Sequence, residues 1–171
     1  PSLLAQLALD SEETVDPFER YIRAMHFQDQ DQARLALLKV FDSRDLKLTY
    51  AAAVDLRYED LAGEPERIGR IRSLIGNKRG RPELVRLVDS LNIRTADNEL
   101  FEYALSQPDS PEALRAVQLL MKNSELVSSL LKGPEPRAQE FIRLMGQCDH
   151  PIANETLVFL VVDKSQSLLK Q

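Results

Sequence analysis

The chain has 171 residues, of which 43% are hydrophobic and 29% are charged, and its net charge at neutral pH is −5. These values are ordinary for a soluble globular protein, and a chain of this length is expected to fold as one domain over residues 1–171. The longest apolar run has six residues, from Leu157 to Val162. A transmembrane helix needs about 20 apolar residues, so the composition excludes a membrane span.

The single cysteine excludes an internal disulfide framework. It is typical of a reducing compartment, so we expect an intracellular protein, cytoplasmic or nuclear. Residues 2–9 are apolar but lack the basic region and cleavage site of a signal peptide. The chain begins with Pro1 rather than Met, which leaves open that it is a fragment of a longer protein.

Three helices are predicted within the first 45 residues. Apolar residues at helical spacing indicate a short opening helix over residues 3–8, and Asp16 followed by Pro17 is typical of the start of a second helix. Either Asp29 or Asp31 is expected to cap the third helix, because a carboxylate accepts hydrogen bonds from the free amides of a first turn. That helix carries the large apolar residues Leu35, Leu37, Leu38 and Phe41.

The middle of the chain is predicted to form helices separated by glycine and proline. A helix from Tyr50 to Leu61 is expected to stop at Gly63, and the next helix is expected to begin at Pro65. Residues 76–82 form a turn-rich basic loop, after which Pro82 opens another helix.

Polar residues that precede apolar helical patterns are predicted to cap the helices of the second half; they are Thr95, Ser110, Ser124 and Asn154. Gly133 is expected to end the helix that begins at Ser124. The β-branched run from Leu157 to Val162 is compatible with a strand. Because no other segment has a strand-like pattern to pair with it, we predict a helix buried within a helical stack.

A similar apolar pattern occurs three times, in residues Leu37–Ser43, Leu84–Ser90 and Phe141–Gln147, and each copy precedes a turn and a second helix. The copies begin 47 and 57 residues apart, whereas HEAT and armadillo repeats recur at about 40 to 47 residues. We therefore predict an all-α fold of antiparallel helix pairs, stacked as a short irregular α-solenoid that is loosely similar to HEAT or armadillo proteins. An irregular helical bundle is the alternative.

Basic residues are concentrated in the middle of the chain. Residues 61–96 carry a net charge of +4, whereas residues 1–60 and 97–171 carry −5 and −4. Such asymmetry indicates a binding site for a protein with an acidic surface, although a solvated helix face has the same appearance. The predicted partner-binding residues are Arg67, Arg70, Arg72, Lys78, Arg79, Arg81 and Arg86.

The loop from Asn77 to Arg81 contains a glycine and three basic residues, a composition also found in loops that bind phosphate or nucleic acid. It lacks the glycine spacing of a P-loop or a dinucleotide-binding fingerprint. No aromatic residue accompanies its bases, and the sequence pI of 5.2 is acidic, so nucleic acid is a less favoured partner than protein.

One cluster contains residue types that bind metals, namely Cys148, Asp149 and His150. Zinc sites normally use four ligands from two short pairs, and the chain offers only His26 as a further histidine and no second cysteine. We expect a turn at a helix end rather than a metal site or a Cys–His nucleophile pair. No carboxylate pair is recognisable as a general acid and base, so no catalytic residue, metal or cofactor is predicted.

The sequence therefore favours a non-catalytic protein-interaction module, such as a scaffold, an adaptor or a regulatory subunit, because stacked helix pairs offer grooves to partners. The alternatives are a helical nucleic-acid-binding protein that uses the bases of residues 67–86, and an enzyme whose residues converge only in space.

Overall fold

The computed structural model describes residues 21, 24–25, 27, 29–132 and 134–168, with the backbone alone for residues 135 and 162–168. These residues form ten α-helices and no strand, which confirms the all-α prediction. The helix predicted over residues 3–8, the start at Asp16, His26 and the stop at Gly133 lie outside the described residues. The helices are α1 Gln30–Phe41, α2 Leu46–Asp55, α3 Tyr58–Ala62, α4 Pro65–Asn77, α5 Pro82–Leu91, α6 Asp97–Ser106, α7 Pro111–Leu120, α8 Ser124–Leu131, α9 Glu135–Gln147 and α10 Pro151–Leu168.

The chain divides into two compact units. The first comprises Pro1–Arg79 and Arg86–Thr95, and the second comprises Gly80–Val85 and Ala96–Gln171. The prediction of one domain stays a prediction, as does the choice between an α-solenoid and an irregular bundle.

In the first unit, α1 packs against α2. Of the two predicted cap candidates, Asp29 caps α1, since its carboxylate accepts a hydrogen bond from the amide of Asp31 at 3.1 Å. The apolar residues of α1 that face the core are Leu37, Val40 and Phe41. Burial of such side chains, rather than helix propensity, supplies most of the stability of helices this short.

The prediction of one helix from Tyr50 to Leu61 is wrong, because α2 and α3 occupy this segment. Asp45 starts α2 early, since its carboxylate accepts a hydrogen bond from the amide of Lys47 at 2.7 Å. The buried residue Leu56 has extended backbone angles and interrupts the helix. The carboxylate of Asp60 then accepts a hydrogen bond from the amide of Arg57 at 3.1 Å and helps to start α3.

Two predicted boundaries around α4 are confirmed. Gly63 is the C-cap of α3, and Pro65 lies in the first turn of α4, where its missing amide is not needed. The side chains of α4 that face the core are Ile71, Leu74 and Ile75. The helix continues to Asn77, so the basic loop begins two residues later than predicted.

Helix α5 begins at Pro82 as predicted. Its side chains Leu84, Leu87 and Leu91 are at most 1% exposed. The helix ends where Asn92 adopts a positive φ of 48°, and the amide of Ile93 donates to the carbonyl of Val88 at 3.3 Å. This bond, with the one from Asn92 to the carbonyl of Asp89, forms a Schellman motif that satisfies the last carbonyls of the helix.

Helix α9 is the central helix of the second unit, where it packs against α6, α7, α8 and α10. Its residues Phe141, Leu144 and Met145 are fully buried. The rings of Phe101 and Phe141 meet edge to face, with centroids 5.5 Å apart and an angle of 80° between their planes. The third copy of the repeated pattern therefore forms part of the core of this unit.

Of the predicted caps in the second half, Ser110 is confirmed, since its hydroxyl accepts a hydrogen bond from the amide of Ala113 at 3.1 Å. The prediction that Thr95 caps α6 is wrong, because the N-cap of this helix is Ala96, whose side chain cannot accept a hydrogen bond. Thr95 lies one position before the N-cap, whereas a capping side chain belongs to the N-cap residue itself.

The predicted caps at Ser124 and Asn154 are also wrong. Asn123 caps α8, because its side-chain carbonyl accepts a hydrogen bond from the amide of Leu126 at 3.2 Å. Helix α10 begins earlier, at Pro151, so Asn154 lies within the helix and its amide donates to the carbonyl of His150 at 3.2 Å.

The segment from Leu157 to Val162 is helical as predicted, but the prediction that it is buried is wrong. Val158, Phe159 and Val161 are 64%, 69% and 65% exposed. The reason is periodicity: α10 packs against α9, and a helix presents only one side to such a neighbour. Among the described residues, no helix combines the length and hydropathy needed to cross a membrane.

Candidate partner-binding surface

The seven predicted partner-binding bases all lie in the described part of the chain, and the structure separates them into two groups. Arg67, Arg70 and Lys78 are held by contacts within the first unit. The other four bases are exposed, namely Arg72, Arg79, Arg81 and Arg86.

Arg67 is occupied in the sense that its guanidinium group already forms ion pairs with two carboxylates of the same unit. Its Nε and Nη2 atoms donate to the carboxylate oxygens of Asp42 at 3.1 and 2.7 Å, and Nη1 lies 3.0 Å from Glu64. The hydrogen bond to Asp42 raises the pKa of Arg67 above its usual value, and the charges of Asp42 and Glu64 act in the same direction against the effect of burial. Such a bidentate pair fixes α4 to the end of α1 and leaves little of this guanidinium group for a partner.

Arg70 performs a similar structural role one turn later. Its Nη1 atom donates to the carbonyl oxygen of Ser43 at 2.5 Å, just beyond the end of α1. Carbonyl groups at a helix C-terminus lack intrahelical donors and carry partial negative charge, so a cation is favourable there. Arg70 therefore stabilises the junction of α1 and α2.

Lys78 lies against an aromatic ring. Its Nζ atom is 4.8 Å from the centroid of the Tyr50 ring, within the range of a cation–π interaction. This contact connects the end of α4 to α2. Lys78 is only half exposed, so it is less available to a partner than its arginine neighbours.

Two of these four arginines lie on α4 or just beyond its end, and we call Arg72 and Arg79 the arginine surface. Arg86 is exposed on α5 and also belongs to the first unit. Within the part of the chain that the structure describes, no carboxylate pairs with the guanidinium groups of these three arginines. Arg81 is also exposed but belongs to the second unit, so it is not counted with them. These groups can form bidentate hydrogen bonds to carboxylates that another molecule supplies.

Sequence reasoning missed Arg44, a further exposed base of the first unit. It directly follows Ser43, whose carbonyl accepts the hydrogen bond from Arg70, so the fold brings it beside a base that is 26 residues away in sequence. The sequence indicates only that Arg44 follows the end of α1. It does not indicate which other helix lies beside that end.

The Cys148 and His150 pair does not have the geometry of a nucleophile and its base. Cys148 is 4% exposed, and its thiol lies 3.5 Å from the carbonyl oxygen of Leu114. Burial raises the pKa of the Cys148 thiol, whereas a nucleophilic thiolate needs a lowered pKa. The Nδ1 atom of His150 is buried without a hydrogen-bond partner among the described residues, and in that part of the chain no three His, Cys, Asp or Glu side chains are grouped to hold a metal.

Comparison of the chain with protein families, with curated protein sequences and with solved structures gave no match. The arginine surface is therefore interpreted from its exposure, its charge and the chemistry of the guanidinium group.

Proposed function

We propose that the protein is a non-catalytic interaction module, a scaffold, adaptor or regulatory subunit, that docks an acidic protein surface on the arginine surface. The observation that supports this is the exposure of Arg72 and Arg79, without carboxylate partners in the described residues, in a chain whose net charge is −5. Opposite charge across an interface accelerates association and selects partners. Arginine is also the base that is enriched at protein interfaces.

The bases that are already held by contacts within the protein are less available for docking than the exposed ones. A partner that binds Arg67 has to displace Asp42 and Glu64, and one that binds Arg70 has to displace the carbonyl of Ser43. A partner that binds Arg72 or Arg79 displaces only water. Docking therefore depends on the exposed arginines, whereas the occupied ones maintain the fold.

Two broader features belong to the same proposal. The helix pairs are stacked as an irregular solenoid, an arrangement that presents elongated surfaces to partners. The module acts inside the cell, in the cytoplasm or nucleus, because its single cysteine is typical of proteins from reducing compartments.

The test compares two double variants of the immobilised chain in a nuclease-treated lysate of the native cell, with quantitative mass spectrometry. Arg72→Glu with Arg79→Glu removes two exposed bases of the first unit, and Lys122→Glu with Lys132→Glu makes the same change in net charge on exposed lysines of the second unit. We expect acidic proteins that the unmodified chain and the lysine variant both capture, and that the arginine variant and added salt both release.

Equal capture by the arginine variant and the lysine variant would contradict the proposal. A parallel capture from untreated lysate tests the alternative: material captured there but not from the nuclease-treated lysate would identify nucleic acid as the partner instead. The logarithm of its affinity would then fall linearly with the logarithm of salt concentration.

A further inference from the structure

The exposed face of α4 has an unusual composition between its charged residues. Gly69, Ser73 and Gly76 are exposed, and a Cβ atom placed on either glycine would have no neighbour within 4 Å. Arg72 is exposed on the same helix and Arg79 lies two residues beyond its end. The face therefore carries guanidinium groups at its C-terminal half, with no bulky side chain between them.

The backbone spacing between Arg72 and Arg79 indicates which kind of acidic peptide can contact both side chains. These two arginines are seven residues apart, and the amides of Lys78 and Arg79 donate to the carbonyls of Leu74 and Gly76 at 2.9 and 3.4 Å, so the chain keeps turning past the end of α4. The backbone spacing of the two residues is therefore about two helical turns, or about 10 Å at about 1.5 Å per residue. A polyproline II segment advances about 9.3 Å in three residues and returns to the same side, so carboxylates at positions i and i+3 are matched to this distance. Because the face offers no large apolar side chain, it lacks the contacts that an amphipathic partner helix needs.

We propose, building on the function proposed above, that Arg72 and Arg79 bind an extended acidic segment of the partner whose carboxylates are three residues apart. Each guanidinium group forms a bidentate pair with one carboxylate. The backbone of the segment passes over Gly76, where the absence of a side chain allows close approach. Glu66, exposed in the first turn of α4, repels acidic residues and limits the segment to the C-terminal half of the helix.

The test uses two proline-rich octapeptides of identical composition, with blocked termini, as probes. One has its two glutamates at positions i and i+3, and the other has them adjacent. Binding is followed by nitrogen–proton NMR through the amides of α4 and the Nε–H groups of Arg72 and Arg79. The spaced peptide is expected to bind about two- to fivefold more tightly, the factor that one exposed ion pair contributes.

Variants of the protein complete the test. Arg72→Glu or Arg79→Glu should abolish the preference for the spaced peptide, whereas Lys122→Glu should preserve it. Gly76→Gln should weaken binding because it places a side chain on the path of the segment. It should not lower the melting temperature, because glutamine favours a helix more than glycine does and the added Cβ meets no neighbour.

The outcomes separate this inference from the function on which it depends. Equal affinity for the two peptides, with binding still lost in Arg72→Glu, would overturn the spacing but leave charge-driven docking in place. No shift at α4 with either peptide, while capture of an acidic protein still depends on Arg72 and Arg79, would replace the extended segment with a folded acidic surface. Capture that is independent of both arginines would overturn both proposals.

Discussion

Removal of the Arg67 side chain tests whether this base is structural. The substitution Arg67→Ala removes the bidentate pair with Asp42, at 3.1 and 2.7 Å, and the contact with Glu64 at 3.0 Å. Hydrogen bonds to charged groups contribute about 1.5–3 kcal/mol. Here the carboxylates are exposed, 41% for Asp42 and 58% for Glu64, so solvent screens the pair toward the range of surface ion pairs. We therefore expect a loss of about 1–2 kcal/mol in the free energy of unfolding.

Urea unfolding of Arg67→Ala, Asp42→Ala and the double variant measures this loss and isolates the pair. The coupling free energy between the two sites should be at least about 0.5 kcal/mol, since they are in direct contact, and it should shrink in high salt. The matched control is Arg72→Ala, five residues along the same helix, which should change stability by less than about 0.5 kcal/mol. If Arg67→Ala is as mild as the control, the division of the bases into occupied and exposed groups is wrong.

Other predictions follow from burial. Leu87 is fully buried in α5, so Leu87→Ala should lower the free energy of unfolding by about 2–5 kcal/mol. The control Ser90→Ala, at an exposed position of the same helix, should change it by less than about 0.5 kcal/mol. Similar values for the two variants in urea unfolding would exclude this helix from the core. The Cys148 thiol, whose pKa is raised by burial, should react with a disulfide reagent at pH 8 far more slowly in the folded protein than in urea. Because its folded pKa exceeds its unfolded one, its contribution to stability is present below the unfolded pKa and is lost as pH rises through the folded pKa; fast reaction of the folded protein would contradict burial. Phe159→Ser should lower the melting temperature by only a few degrees, because the side chain is 69% exposed, and a larger loss would show that the helix is covered.

Local signals predicted many helix boundaries correctly. Pro65, Pro82 and Ser110 lie where the sequence placed them, and the cap of α1 is one of its two predicted candidates, Asp29. These signals are local because a cap or a first-turn proline acts on amides within three residues. One prediction failed where two polar residues are adjacent, at Asn123 and Ser124. Asn and Ser can both cap a helix. Which of the two becomes the N-cap depends on where the helical backbone angles begin, and packing decides that position.

Long-range contacts were beyond the sequence for a different reason. Arg67 and Arg72 look equivalent in a basic segment, yet Arg67 is paired with Asp42, which is 25 residues away, and Arg72 is exposed. Similarly, the apolar residues of α10 indicated burial, but a helix pattern does not reveal whether one neighbour or several pack against it. The exposure of Phe159 follows from the tertiary arrangement alone.

The most direct test of the account is the rate at which the captured acidic partner associates with the chain, measured by surface plasmon resonance at two salt concentrations. Charged groups exposed at the edge of an interface act mainly on the association rate and its salt dependence. For the variant with Arg72→Glu and Arg79→Glu we predict association slowed about tenfold at low salt and a weakened response to salt. The matched variant with Lys122→Glu and Lys132→Glu should associate within about twofold of the unmodified chain. Equal association rates for the two variants would contradict the account and place the docking surface elsewhere on the protein.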